Sequence, residues 1–220
     1  MNNIFAVYKP VGPSSNQMLS RIKKVLNIKK VGHAGTLDPL AQGILVVAVG
    51  RAYTKQLPEI VKKEKGYIAK IRLGQTSTTD DEEGEKKIII ENEPKNINLN
   101  TINNILNDFK GIIEQIPPIF SAIKMNGQAA YKLARKGTDI KMRAREAEIK
   151  DIELLDYNWP YLTIRAVTGP GVYIRSLARD IGERLKTGGH LNELERTRVG
   201  QYSKEKALSL KDIASLKLDI

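Results

Sequence analysis

Apolar residues recur along this 220-residue chain with two periods, about 3.6 and about 2, and those periods mark out its elements. Ile4 to Tyr8 is an apolar run closed by Lys9-Pro10 and Gly12-Pro13, which predicts a short strand and then a turn. Ser14 or Ser15 can cap a helix to about Asn27, with Met18, Leu19, Ile22, Val25 and Leu26 on one face. Arg21, Lys23 and Lys24 take the other face. A glycine-rich stretch, Gly32 to Gly43, reads as a loop, and ILVVAV after it reads as a strand buried on both faces. Lys55 to Lys62 predicts a helix. Tyr67 to Leu73, YIAKIRL, alternates like a half-buried strand.

Residues 74–85, GQTSTTDDEEGE, predict an acidic polar loop, and isoleucines 88 to 90 a strand beyond it. Leu99 to Phe109 has the helical repeat, with Ile102, Ile105, Leu106 and Phe109 on one side. Pro117-Pro118 precedes an expected strand at Ser121 to Met125 and a basic helix around Ala129 to Lys136. Strands are expected at Glu148 to Leu155 and Tyr161 to Thr168. After the Gly169-Pro170-Gly171 turn, VYIRSLARDIGERL predicts a helix with Ile174, Leu177, Ile181 and Leu185 inward. His190 to Tyr202 reads as extended, and Ser209 can cap a last short helix. Helices and strands mix without regular alternation, so the fold class is α+β. No internal repeat, low-complexity tract or long linker interrupts the chain, which predicts a single domain over 1–220.

Composition sharpens this picture in two ways. An apolar content of 41% supplies a core, and the absence of cysteine excludes disulfides, thiolate metal sites and cysteine nucleophiles. With only His33 and His190, far apart in sequence, a histidine-based metal site is not expected. The longest apolar run, Ile44 to Val49, is far short of the roughly 20 residues that span a bilayer, and the N-terminus lacks a secretory pattern. A cytoplasmic protein is expected. The net charge of +11 is spread along the chain, which suits a folded face meeting a polyanion. Nucleic acid, an anionic membrane surface and a merely solubilising lysine excess all fit that charge.

One acid stands out. The first 58 residues hold eight lysines and arginines and a single carboxylate, Asp38. Asp-Pro is a common turn pair, so Asp38-Pro39 has a purely structural reading. Against it stand the flanking glycines Gly32, Gly35 and Gly43, which permit close approach, and the buried strand that would hold the loop rigid. Surrounding positive charge favours the ionised carboxylate, hence a nucleophile or counter-ion. The residues alone lead to a candidate nucleophile in a nucleic-acid-binding enzyme.

The stretch GHAGTLDPLAQGILVVAVG closely resembles the signature of the bacterial TruB family of transfer-RNA pseudouridine synthases. YKPVGPSS at 8–15 resembles the family's opening motif, and KGYIAKIRLG at 65–74 its tyrosine-bearing strand. GQTSTTDDEEG fits the family's Gly-x-x-Ser/Thr-x-Thr-x-Asp-x-x-Gly loop through Gly74, Ser77, Thr79, Asp81 and Gly84. QIPPIFSAIKMNGQAAYKLARKG and GVYIRSLARDIGERLKTGGHLNELERTRVG match two further blocks, in the family's order.

The resemblance implies a pseudouridine synthase fold, a mixed and largely antiparallel sheet flanked by helices and RNA-binding loops. A thumb-like RNA-binding insertion is expected at about 120–148, and no C-terminal PUA-type domain. The implied activity is isomerisation of uridine 55 in the TΨC stem-loop of transfer RNA by base flipping, with no metal, organic cofactor or guide RNA and with a monomer as the working form. Asp38 aligns with the essential aspartate, acting either by addition to the ribose or by assisting a glycal. Tyr67 matches the active-site tyrosine that packs on the flipped base, and Arg175 the arginine that pairs with the aspartate. Tyr173 and Leu194 match positions lining the uracil, His33 the residue filling the vacated space, and Lys9 a backbone contact or brace. A flipped base needs stacking surfaces and a positive approach, and these residue types supply both. The chain departs from the pattern where Tyr53 looks inserted and where Glu195 replaces a common arginine. An RNA-binding protein with an inactive site is the rival reading, opposed by the joint presence of Asp38, Tyr67 and Arg175. Guide-dependent archaeal and eukaryotic relatives are a second rival, opposed by Leu40-Ala41 after Asp-Pro.

Overall fold

The computed structural model describes residues 3–125, 127–138 and 140–216. The chain begins with β1 (Ile4–Lys9), α1 (Ser15–Leu26), β2 (Val31–Ala34) and β3 (Ala41–Val49). Two short helices, α2 (Arg51–Thr54) and α3 (Leu57–Val61), lead to β4 (Lys65–Leu73), followed by β5 (Gln75–Ser77) and β6 (Lys86–Ile88). Then come α4 (Leu99–Asp108), β7 (Gly111–Gln115), β8 (Lys124–Met125), β9 (Gln128–Ala129) and α5 (Ala130–Arg135). The long β10 (Arg145–Asn158) and β11 (Tyr161–Thr168) precede α6 (Ile174–Arg184), β12 (Gly189–Val199), β13 (Tyr202–Ser203) and α7 (Leu210–Ala214). This is a mixed α+β fold whose sheet is mainly antiparallel, as expected. Among the described residues no helix is long and apolar enough to cross a membrane.

The chain divides into two units. Unit 1 comprises Met1–Ile68, Val167–Pro170 and Glu193–Ile220, and unit 2 comprises Ala69–Ala166 and Gly171–Asn192.

Unit 1 is organised by β3. Its strand order is β1–β3–β12–β4, with β2 added on β3 and β13 on β12. β1 runs antiparallel to β3, Ile4 opposite Ala48 and Lys9 opposite Gly43, whereas β12 runs parallel, Leu194 opposite Ala41. Consecutive β3 side chains enter two different cores. Leu45, Val47 and Val49 join Met18, Leu19 and Ile22 of α1 and Ile213 of α7. Ile44, Val46 and Ala48 join Ala34, Leu57 and Ile60. That is why the run carries no polar alternation: neither face meets water. Burying one such branched aliphatic side chain contributes about 1.5–3 kcal/mol. α1 begins with a capping box: Ser14 Oγ accepts from the Gln17 N–H at 3.2 Å and Gln17 Oε1 accepts from the Ser14 N–H at 2.7 Å. The edge of β1 is covered where the Leu208 N–H donates to the Ala6 carbonyl at 2.8 Å.

In unit 2 the order is β4–β11–β10–β7, with β10 and β7 antiparallel from Arg145 opposite Gln115 to Ile149 opposite Gly111. α6 buries Ile174, Leu177 and Ile181 together with Arg175 and Ser176. β5 and β6 pair as a hairpin, Ser77 opposite Lys86, so the acidic stretch closes a hairpin rather than a free loop.

Five further expectations need correction. The glycine-rich region contains β2, since Val31 and Ala34 are buried by pairing with β3. The helix expected over Lys55 to Lys62 is shortened to α3, with Pro58 in its first turn, and a separate short helix, α2, ends before it at Thr54. The strand expected at isoleucines 88 to 90 is β6, which starts earlier, at Lys86, and ends at Ile88, and the one at Ser121 shrinks to β8. β10 starts at Arg145 rather than Glu148 because β7, which the apolar pattern did not mark, pairs with its beginning.

Gly43 offers a stability test. Its φ is +112°, and a Cβ there would lie 2.2 Å from the Arg196 carbonyl oxygen. Gly43→Ala should therefore destabilise the protein by on the order of 3 kcal/mol, from backbone strain and overpacking together. Urea unfolding checks it; a change under about 0.5 kcal/mol, the range of unremarkable surface substitutions, would contradict the packing described.

Candidate active site

Asp38 lies in the loop joining β2 to β3, and the backbone on both sides of it is pinned. The buried Ser15 hydroxyl accepts from the Leu37 N–H at 2.8 Å and donates to the Leu37 carbonyl at 2.9 Å. The Gly12 N–H donates to the Pro39 carbonyl at 2.8 Å, and the Ala41 N–H to the Asp38 carbonyl at 3.1 Å. A serine at the start of α1 thus substitutes for a strand partner, so the loop is held although it has no ladder of its own. The Asp38 side chain is half-buried.

Lys9, at the end of β1, is buried and donates through Nζ to the carbonyls of Pro10 at 2.9 Å, Pro13 at 2.8 Å and Pro39 at 3.5 Å. It braces the loop's proline side. Burial pushes its ammonium down to about 8, opposed by the charge of Asp38 and assisted by that of Arg196. Tyr67 on β4 is buried, and its phenol is raised, chiefly by burial; Arg196 pulls it down and Asp38 adds to the rise. His33 on β2 is lowered by burial and by Arg196, against a hydrogen bond to the Gly35 backbone. Its half-buried ring stays neutral near pH 7 on that account. Leu194 is half-buried on β12, opposite Ala41. Lys65, which opens β4, donates to the carbonyls of Val61 and Lys63, each at 2.8 Å, and burial pushes it also to about 8.

Arg196 escaped the sequence reading. It is 2% exposed, and its guanidinium donates to the carbonyls of Ile44 at 2.7 Å (Nε), Gly35 at 3.0 Å (Nη2) and Thr36 at 3.4 Å (Nη1). Its charge is felt by Tyr67 and it feels that of Asp38. Its only signal in the sequence is a charge between Glu195 and Thr197 on a strand that alternates. Glu195 itself accepts from the Tyr8 hydroxyl at 3.0 Å and from Lys204 Nζ at 2.9 Å, so the acid that replaces a common arginine has a lysine partner.

Tyr173 and Arg175 belong to unit 2. Arg175 sits in the first turn of α6, where its residue type alone suggests a solvated charge, yet it is 7% exposed. It donates to the carbonyls of Phe120 at 2.9 Å and Thr79 at 3.3 Å and approaches Asp81 Oδ2 at 3.4 Å. Asp81, 2% exposed, accepts in turn from the Glu83 N–H at 3.0 Å and from the Thr79 hydroxyl. One turn on, Arg179 pairs with Asp80 at 2.7 Å. Tyr173 caps α6; its N–H and carbonyl are both met by the buried Gln115 side chain, at 2.9 and 3.1 Å. The Arg145 guanidinium lies 5.0 Å from the centre of the Tyr173 ring. Asp81 and Gln115 were also missed, although Asp81 occupies the aspartate of the quoted loop motif. Among the described residues no group of three or more histidines and acids could hold a metal ion.

Two family models match the chain: "TruB family pseudouridylate synthase (N terminal domain)" over residues 23–174, and "tRNA pseudouridylate synthase B C-terminal domain" over 175–219. The tRNA pseudouridine synthase B of Clostridium tetani is 43% identical over 213 residues, covering 97% of this chain and 73% of that one. The protein of the same name from Francisella philomiragia is 42% identical over 220 residues, covering 100% and 72%. That from Parabacteroides distasonis is 45% identical over 195 residues, covering 89% and 81%. Among solved structures, a chain of a Cbf5-Nop10-Gar1 complex superposes with a TM-score of 0.73 at 31% identity, covering 96% of this chain and 53% of its own length. A chain of an H/ACA RNP bound to a substrate RNA containing 2′-deoxyuridine gives 0.70 at 28%, covering 96% and 52%. The chain spans about half of each of those solved chains.

The buried lysines make stability depend on pH. Lys65 titrates at about 8 when folded, against the ordinary value of 10.5, so the unfolded chain binds more protons between those values. Stability should therefore rise with pH through that window, Lys9 acting in the same direction, until raised Tyr8 and Tyr67 oppose it. Lys65→Met should flatten the rise. Urea unfolding at about pH 7.5 and about pH 9.5 reads the difference; an equal gain in wild type and variant would show that Lys65 is not the source.

Proposed function

The chain belongs to the TruB family of pseudouridylate synthases, and we propose that it isomerises uridine 55 in the TΨC arm of transfer RNA, with Asp38 as nucleophile. The observation that carries this reading is a rigidly pinned loop holding the lone acid of the basic N-terminal segment within the electrostatic reach of Tyr67, Lys9 and Arg196. The reaction breaks the bond from N1 to ribose C1′ and makes one from C5 to C1′; N1 gains a hydrogen and C5 gives one up. It therefore needs a group that attacks or stabilises the sugar–base system while the bond is open, and a carboxylate suits both the addition and the glycal route.

The target base must leave the stack. Tyr67 offers the extruded uracil a ring on a rigid strand and a hydroxyl kept neutral by burial, and on the resemblance Leu194 and His33 add apolar and neutral surface for it. Tyr173 and Arg175 are assigned to the substrate on the resemblance alone. The segment at about 120–148 carries Lys124, Lys132, Arg135, Lys136, Lys141, Arg143 and Arg145, which suits an RNA-binding insertion. The working form proposed is a cytoplasmic monomer without guide RNA, metal or organic cofactor. Greater identity to enzymes named tRNA pseudouridine synthase B than to chains from the two RNP complexes supports the absence of a guide.

Asp38→Asn should abolish isomerisation of an unmodified transfer-RNA transcript while RNA affinity stays within roughly threefold, because one site charge is a small part of a polyanion contact. Mapping pseudouridine by chemical sequencing reads the product, and comparable turnover by the variant would remove Asp38 from the mechanism. Tyr67→Phe should fold and bind but turn over slowly. Tyr67→Leu should also weaken substrate capture by about 1–3 kcal/mol, the usual contribution of base–aromatic stacking. Wild-type kinetics in both would make Tyr67 a core residue only.

A further inference from the structure

Arg196 is the largest side chain sealed inside the described fold, and its hydrogen bonds run to both ends of one loop. Gly35 and Thr36 precede Asp38 and Ile44 follows it, so a single guanidinium plane grips the segment on either side of the carboxylate. The backbone is shaped to admit it. Gly35 has φ +81°, and a Cβ there would come within 3.4 Å of Nη1; Gly43 gives way to the Arg196 backbone itself. Tyr67 lies on β4, the strand next to β12, and feels the same charge.

A purely structural brace at this position would not need a charge. Lys9, His33 and Lys65 are all disfavoured in their charged forms by Arg196, and Asp38 is the acid whose charge it feels. A neutral donor such as glutamine could bond two carbonyls without that repulsion. The planar fork, by contrast, reaches several acceptors at fixed angles while keeping a positive charge beside the carboxylate. We propose that Arg196 is a positioning residue of the reaction: it holds the Asp38 loop in place and supplies the positive charge that Asp38 and Tyr67 both face. The inference rests on Asp38 and Tyr67 acting as proposed above.

The test compares wild type, Arg196→Lys, Arg196→Gln, Tyr67→Phe, Asp38→Asn and the Arg196→Gln/Tyr67→Phe double variant. For each, Tm, transfer-RNA affinity and the single-turnover rate are measured, the last by tritium release from C5-labelled uridine. Arg196→Gln should fold, bind RNA within about threefold of wild type and react about 100-fold more slowly, the cost of misplacing reacting groups by an ångström or so. Arg196→Lys, which keeps the charge but not the fork, should lose about tenfold. Removing the cation makes the carboxylate easier to protonate, so the acid limb of the rate profile should move to higher pH in the glutamine variant and stay in the lysine variant. Tyr67→Phe should cost less in the glutamine background than alone. A rate within about threefold of wild type in Arg196→Gln would overturn the proposal. So would loss of folding in both Arg196 variants, or a rate loss that merely follows affinity, with an unmoved pH profile and independent effects in the double variant; each would make Arg196 a structural brace. If Asp38→Asn stays active, the reading of the whole site fails; if it is dead while Arg196→Gln is normal, only the role of Arg196 fails.

Discussion

A guanidinium cut off from water must find acceptors for its N–H groups or cost several kcal/mol, and unit 1 is arranged around that demand. Arg196 meets it with the peptide carbonyls of Gly35, Thr36 and Ile44 rather than by closing on a carboxylate alone. Carbonyls belong to the backbone, so satisfying the charge also fixes the path of the chain. The loop between β2 and β3 has to leave β2 and enter β3 at places that put those three oxygens within reach of one guanidinium. The serine of α1 and the ammonium of Lys9 then pin the intervening Leu37 and Pro39. A loop with no ladder hydrogen bonds of its own becomes as well defined as the strands beside it.

Unit 2 answers the same demand differently. Arg175 and Arg179 are four residues apart on α6 and so share a face, and they meet the consecutive acids Asp81 and Asp80. Because neighbouring loop residues point in different directions, taking both acids fixes the orientation of the segment and not only its distance from the helix. Such buried pairs add little net stability relative to apolar residues of the same size, yet breaking one partner is costly. Their effect is on geometry. The raised Asp180, at about 6, has burial as its main cause and shows how much desolvation this face carries even beside an arginine.

The sequence was legible where one face of an element decides its pattern. α1, α4 and α6 follow from apolar spacing, and the unbroken run of β3 reports its burial between two cores. It was less legible where pairing rather than side-chain burial makes the strand. β2 is four residues inside a glycine-rich stretch, and β7 exposes Ile112 at 72% while its backbone pairs with β10. Among the candidate residues, the resemblance singled out Asp38, Tyr67 and Arg175 by residue type and spacing, but not what holds them. Asp81 lies 94 positions from Arg175, and Arg196 152 from Ile44; neither distance leaves a local pattern. An arginine on an alternating strand looks like the solvent face until the fold shows which side is closed.

That also bears on why the first 58 residues contain one acid and eight basic residues. Lys9, Lys65 and Arg196 are each satisfied by carbonyl oxygens. A second carboxylate placed among them would compete for those donors, exchanging bonds that shape the backbone for an ion pair that does not. It would also repel a polyanionic ligand at the surface nearest the loop. Both effects act against acids throughout the segment, and neither distinguishes one position from another. Asp38 is the exception they cannot explain, since its own charge is felt at Lys9, Tyr67 and Arg196 together. A carboxylate kept at the focus of so many basic and phenolic groups serves as their common counter-charge. It is also the group there able to form or assist a bond at a sugar carbon. Charge balance and the proposed chemistry thus fall on the same residue, and a substitution that keeps its shape but removes its charge tests both at once.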